Sequence, residues 1–151
     1  MADALYPQLE LDSQLCFPLY AATRALTRRY AELLAEVGLT YPQYLTMLAL
    51  WDAGRPLTVG EVGERLRLDS GTLTPVLKRL ESAGFVARRR DVADERRVLV
   101  EVTAQGESLR EGVADVPERI WSRLGLATED AQDLRALLDQ LIQGLDQPDL
   151  P

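Results

Sequence analysis

The chain carries a single cysteine, Cys16, and no histidine, so few of its residue types can do covalent chemistry. A thiol reacts as the thiolate, adds to electrophiles such as peroxides, and is made reactive or inert by its neighbours. One cysteine forbids an intramolecular disulfide, and the absence of histidine removes the usual zinc ligand and the commonest general base. A Ser-His-Asp triad, an HExxH zinc helix and a CxxC pair are therefore impossible, and neither a Walker loop nor a GxGxxG phosphate cradle occurs in the sequence. Carboxylates alone are poor ligands for the softer metals, so no metal and no cofactor is expected. What remains is a binding protein, a thiol that acts alone, or both. A lone cysteine is most often an inert core residue, and Cys16 by itself leaves that reading open.

Charge gives the second lead. The 151 residues carry a net charge of −7, which alone argues against nucleic acid. The distribution argues the other way. Residues 65–97 hold nine basic side chains against five acidic ones, and the rest of the chain holds eight against nineteen. A positive block in an acidic body is the footprint of a DNA-binding element whose remainder avoids DNA. No run approaches the roughly 20 apolar residues of a membrane span. The opening MADALYPQLE is acidic where a secretory leader is basic and then apolar. A cytoplasmic location and no membrane partner are expected.

These residues need elements to hold them. Apolar residues recur at helical spacing over about 12–37 (Leu15, Leu19, Ala22, Leu26, Tyr30, Leu33, Leu34), with Gly38 as the stop. Pro18 either starts the regular helix, leaving Cys16 just ahead of it, or kinks it. Thr40 with Gln43 and Thr58 with Glu61 form capping-box patterns that open a helix over 41–52 and a short one ending near Arg67. Asp69 or Ser70 caps a fourth helix with Leu73, Val76, Leu77 and Leu80 on one face and Gly84 at its end. Two β-type runs, 85–90 and 97–102, flank a polar turn and predict a hairpin. Thr103 is expected to cap a helix to about residue 123, bent near Pro117, and Thr128 to cap a last helix with a stripe of Leu134, Leu137, Leu138, Leu141, Ile142 and Leu145. That stripe suits either a dimer seam or an internal core. The tail QPDLP is expected to be unstructured.

Two short helices followed by a basic hairpin make a winged helix-turn-helix. The fourth helix opens with Ser70, Gly71, Thr72, Thr74 and Pro75, small groups that can approach base edges and phosphates. Lys78 and Arg79 follow one turn on, placed for phosphates. Arg88, Arg89, Arg90, Arg96 and Arg97 could carry the wing into the minor groove, although a run of charge can also be no more than a solvated hairpin face. Asp94 is expected to pair with Arg96 or Arg97 and shape the turn.

The stretch DSGTLTPVLKRLESAGFVARRRDVADERRVLVEVTAQG resembles the recognition helix and wing of the MarR family of bacterial regulators, and the similarity extends over nearly the whole chain. The resemblance implies a mainly helical fold with a small β-hairpin wing: a DNA-binding lobe at 57–102 and a helical dimerisation region at 10–38 and 103–146. It also implies a homodimer, joined through its N- and C-terminal helices, that represses by reading a pseudo-palindromic double-stranded operator one half-site per protomer. Such a protein is not an enzyme. LDSQLCFPLYAATRALTRRY followed by LTYPQYLTMLALW resembles one branch of that family, the organic-hydroperoxide-resistance regulators (OhrR). That resemblance implies that Cys16 senses an organic hydroperoxide, that Tyr30 and Tyr41 donate hydrogen bonds to it, and that Tyr20 lines the same pocket. An apolar surround of Phe17, Leu19, Leu45 and Trp51 would favour an organic peroxide. With no second cysteine, the sulfenic acid must react with an external low-molecular-weight thiol or run on to the sulfinic acid. Two alternatives stay open: a regulator that binds a small phenolic or lipophilic effector, and a thiol peroxidase.

Overall fold

A computed structural model describes residues 6–148 and forms two compact units that divide after Val116. The first holds α1 (Cys16–Leu34), α2 (Tyr41–Ala53), β1 (Leu57–Thr58), α3 (Val59–Leu66), α4 (Ser70–Ser82), β2 (Val86–Arg90), β3 (Val98–Val102) and α5 (Ala104–Val113). α6 (Val116–Leu124) and α7 (Thr128–Leu145) follow. The fold is the expected one, mainly helical with a small antiparallel wing. Among the described residues no helix is long and apolar enough to cross a membrane.

The first helix is shorter than its periodicity suggests. It begins at Cys16, with separate 3-10 turns at Leu11–Ser13 before it and Ala35–Val37 after it. Pro18 causes no kink, because it is the third residue of α1, where the missing N–H has no intrahelical partner to lose. Both capping boxes form. The Thr40 hydroxyl accepts from the Gln43 amide while the Gln43 side chain accepts from the Thr40 amide, and Thr58 and Glu61 repeat the exchange. Asp69 is the cap of α4, its carboxylate accepting from the Thr72 amide at 2.8 Å. Thr103 caps α5 through the Gly106 amide at 3.0 Å. The expected bend near Pro117 is a full break between α5 and α6. Thr128 does not cap α7: it lies inside the helix, and Ala127 holds the cap position with no side-chain hydrogen bond.

Leu57 and Thr58 add a strand the sequence does not announce. It pairs with β3 so that the sheet order is β1-β3-β2, all antiparallel. Leu34, Met47, Leu50, Leu57, Val62, Leu73, Leu77, Leu80 and Val100 are all at most 2% exposed and form the core on which α4 and the wing rest. Each such side chain contributes about 1.5–3 kcal/mol of burial. α5 packs on β3 and on the turn after α1, so it builds the same unit as the wing, although its residues fall within the region expected for dimerisation. In the second unit α7 has no buried residue, and Leu134, Leu137 and Leu145 stand exposed. The tail beyond Pro148 lies outside the described residues.

Candidate DNA-binding surface and thiol site

Helical periodicity sorts the residues of α4. Leu73, Leu77 and Leu80 are buried, which turns Gly71, Thr72, Pro75, Lys78 and Arg79 to the exposed face. The hydroxyls at its start are partly committed. Thr72 donates to Asp69 at 3.0 Å and Thr74 to the Ser70 carbonyl at 2.6 Å, which fixes both rotamers and leaves their oxygens as acceptors. The Asp69 carboxyl is held below its ordinary value chiefly by the Thr72 amide. Pro75 cannot return a backbone hydrogen bond to Gly71, so the exposed first turn keeps a carbonyl outside the helical ladder.

Strand parity divides the three consecutive arginines. In β2, Arg88 and Arg90 share the face of the buried Val86, and Arg89 points to the other. Arg88 accordingly turns back onto α4: its Nε and Nη2 donate to Glu81 Oε2 at 2.9 and 2.7 Å, and its backbone amide donates to Glu81 Oε1 at 3.2 Å. Arg89 pairs with Glu101 at 3.4 Å, and Arg90 donates to the Glu95 carbonyl at 3.0 Å. In the turn, Asp94 accepts from the Arg96 amide at 3.1 Å and its carbonyl from the Arg97 amide at 2.9 Å, the shaping role expected of it. Arg97 approaches Asp91 at 3.9 Å. The Arg96 side chain is 96% exposed and sits only loosely by Asp94, at 3.8 Å, so it projects furthest toward a partner. A groove of about 440 Å³ runs between Thr58, Thr74, Arg88, Arg96 and Arg97. Thr74 of α4 and Arg88, Arg96 and Arg97 of the wing thus line one groove, with Arg88 also bound to Glu81, while Gly71, Thr72, Pro75, Lys78 and Arg79 lie on the exposed face of α4. Glu81 was missed by sequence reasoning. The signal that could have found it is the parity that puts Arg88 on the face of Val86.

The thiol site is split. Cys16 is exposed at the first position of α1, with Phe17 next to it and Tyr20 one turn on. Tyr20 is exposed, with the Arg24 guanidinium 5.6 Å from its ring centre. Tyr30 lies fourteen residues after Cys16 on the same unbroken helix, about 21 Å away along the axis at about 1.5 Å per residue. There it stacks on Tyr41, with ring centres 4.0 Å apart and 11° between planes, and Tyr44 closes the cluster at 5.9 Å. Burial pushes the Tyr41 phenol up to about 12, with Tyr30 and Tyr44 adding to the shift, and burial also raises Tyr30 and Tyr44. At neutral pH all three are protonated donors. Within one chain, then, the structure assembles the tyrosines and, separately, the thiol end, but does not join them. Trp51 also leaves the expected surround of Cys16. Its indole N–H donates to the Gly106 carbonyl at 3.2 Å, and Arg110 covers its ring at 5.6 Å. Among the described residues no group of carboxylates and thiol is placed to hold a metal ion.

Known proteins match this arrangement. A sequence model described as the transcriptional regulator SarA/Rot family matches residues 28–113. The organic hydroperoxide resistance transcriptional regulator of Bacillus subtilis is 46% identical over 136 residues, covering 90% of this chain and 90% of that one. Reduced AbfR bound to DNA superimposes with a TM-score of 0.78 at 36% identity, over 91% of this chain and 94% of that one. AbfR, a protein of Staphylococcus epidermidis, in its disulfide form gives a TM-score of 0.65 at 38% identity, over 89% and 94%. The order of elements, the sided recognition helix and wing, and these full-length matches agree: the chain belongs to the MarR family of winged helix-turn-helix transcription regulators, in its organic-hydroperoxide-resistance branch.

Proposed function

We propose that the protein is a redox-sensing transcriptional repressor that binds a pseudo-palindromic operator as a homodimer and lets go when Cys16 is oxidised by an organic hydroperoxide. The observation that carries this reading is the separation, along one unbroken helix, of the exposed Cys16 from Tyr30, which stacks on Tyr41. Two copies of α1 packed antiparallel about a two-fold axis near residue 23 place the head of one beside the residue-30 level of the other. Ala21, Ala22 and Ala25, all exposed, are small enough there for close approach. The pocket is then composite, with Cys16 of one protomer facing the partner's Tyr30 and the partner's Tyr41. Each unit has exposed apolar side chains of its own to offer a partner, Leu9, Leu11 and Leu15 in the first and Leu134, Leu137 and Leu145 of α7 in the second. The solved AbfR structures, reduced on DNA in one case and disulfide-formed in another, support a redox input and a DNA output in this branch.

The chemistry balances with two reagents. The thiolate attacks one peroxide oxygen, the O–O bond breaks and the S–O bond forms, and the alkoxide takes a proton and leaves as the alcohol. A small thiol then condenses with the sulfenic acid to a mixed disulfide, releasing water. That adduct is too large for a tyrosine-lined pocket between protomers, so the helices shift and the two recognition helices lose their spacing on the operator. Residues 57–102 grip the DNA through Ser70, Gly71, Thr72, Thr74, Pro75, Lys78, Arg79 and the wing arginines, with Arg96 foremost. The protein acts in the cytoplasm as a regulator rather than an enzyme, a reading supported by relatives that are named as transcriptional regulators. A gel shift on DNA upstream of its own gene tests this. Cumene hydroperoxide with a small thiol should release the wild type and leave Cys16→Ser bound; equal release of both would contradict it.

A further inference from the structure

The Arg88–Glu81 contact joins the last turn of the recognition helix to the middle of the first wing strand, and no other side-chain bridge among the described residues joins α4 to β2 with three hydrogen bonds. We propose that Glu81 is a positioning residue that braces the wing against the recognition helix, and that Arg88 acts through this brace and not as a contact to DNA. The inference rests on the DNA-binding reading above and reassigns one of its arginines.

Three features carry it. Arg88 Nε and Nη2 both reach Glu81 Oε2, at 2.9 and 2.7 Å, a charge-assisted pairing of the stronger kind. The second carboxylate oxygen takes the Arg88 amide at 3.2 Å. β2 is an edge strand paired only with β3, so an outward amide of this kind has no ladder partner, and Glu81 supplies one. Finally, the connection between α4 and β2 is a tight turn through Gly84 at a φ of 82°, closed by the Phe85 amide on the Leu80 carbonyl at 3.0 Å, so Glu81 and Arg88 meet directly across it. The Thr103 amide and hydroxyl hold the far side of this turn through the carbonyls of Phe85 and Gly84. With Glu81 on the near side, the wing is tied at both flanks. Arg96 and Arg97 stand at the end of this lever, so a small swing at Arg88 is enlarged at the tip.

The two roles for Arg88 predict opposite outcomes for Glu81→Ala. If Arg88 contacts DNA, removing Glu81 frees a cation and deletes a negative charge, and operator binding stays equal or tightens. If Glu81 braces the wing, the same change weakens operator binding by about tenfold, and any fall in the slope of log affinity against log salt, as Arg96 and Arg97 shift, is the same in Glu81→Ala and Arg88→Gln. A DNA contact by Arg88 would instead lower that slope by about 0.9 in Arg88→Gln and leave it unlowered in Glu81→Ala. Hydrogen exchange at residues 86–102 gives a readout without DNA, and the brace predicts faster exchange there in Glu81→Ala, with α1 and α2 unchanged. Unchanged or tighter operator binding by Glu81→Ala, a slope reduced in Arg88→Gln but not in Glu81→Ala, or unchanged wing exchange would overturn the proposal. Should wild-type protein hold no operator DNA at all, the DNA-binding reading fails, and the exchange measurement still decides the brace.

Discussion

At the scale of single residues, the tyrosine cluster shows how burial prepares a donor set. Tyr41 is raised furthest, to about 12, by burial first and by its contact with Tyr30. A phenol whose folded value lies above the unfolded value of about 10 stabilises the fold fully below pH 10, and that contribution is lost as the pH rises through 12. Thermal unfolding should therefore fall off between pH 10 and about 12, and Tyr41→Phe should lose less over that range than the wild type; parallel curves for the two would contradict the assignment. The sequence motif names Cys16, Tyr30 and Tyr41 together, and the structure stacks the two tyrosines but sets the thiol apart from them. That separation was not legible, because a motif gives spacing along the chain and not distance in space. The helical rise would have told: fourteen residues of unbroken helix cannot bring Tyr30 to Cys16.

At the scale of elements, most boundaries were written in side chains that cap. Thr40, Thr58, Asp69 and Thr103 each accept a backbone amide where the pattern said they would. Thr128 looked the same and failed, since a hydroxyl next to a helix start caps only from the half-in position, which Ala127 occupies. β1 was invisible because two residues show no alternation; its pairing comes from β3, not from its own sequence. The turn between α3 and α4 depends on Gly63, where an added Cβ would lie 2.7 Å from the Leu68 carbonyl oxygen. Because backbone must move to make room, Gly63→Ala should destabilise by about 1–3 kcal/mol despite the better helix propensity of alanine, and should weaken operator binding as α4 tilts. Denaturant unfolding beside a binding titration checks both.

At the scale of the whole molecule, the basic island at 65–97 was legible as a charge count, and the structure shows what a count hides. Of the five wing arginines, Arg88 is bound to Glu81, Arg89, Arg90 and Arg97 are held by neighbours, and Arg96 alone stands almost fully exposed. The apolar stripe of α7 left open a choice between dimer seam and internal core, and the exposure of Leu134, Leu137 and Leu145 favours the seam. On the proposed reading, the oxidation of Cys16 is controlled across the dimer and read out at the wing. Mixed dimers test it most directly. One protomer carries Cys16→Ser; the other keeps Cys16 but carries Tyr30→Phe and Tyr41→Phe. A composite pocket leaves the one remaining Cys16 facing two intact tyrosines, so organic hydroperoxide should oxidise it at the wild-type rate, read by intact mass, and release the operator. Oxidation slowed to the rate of the Tyr30→Phe, Tyr41→Phe homodimer, with the operator retained, would contradict the account.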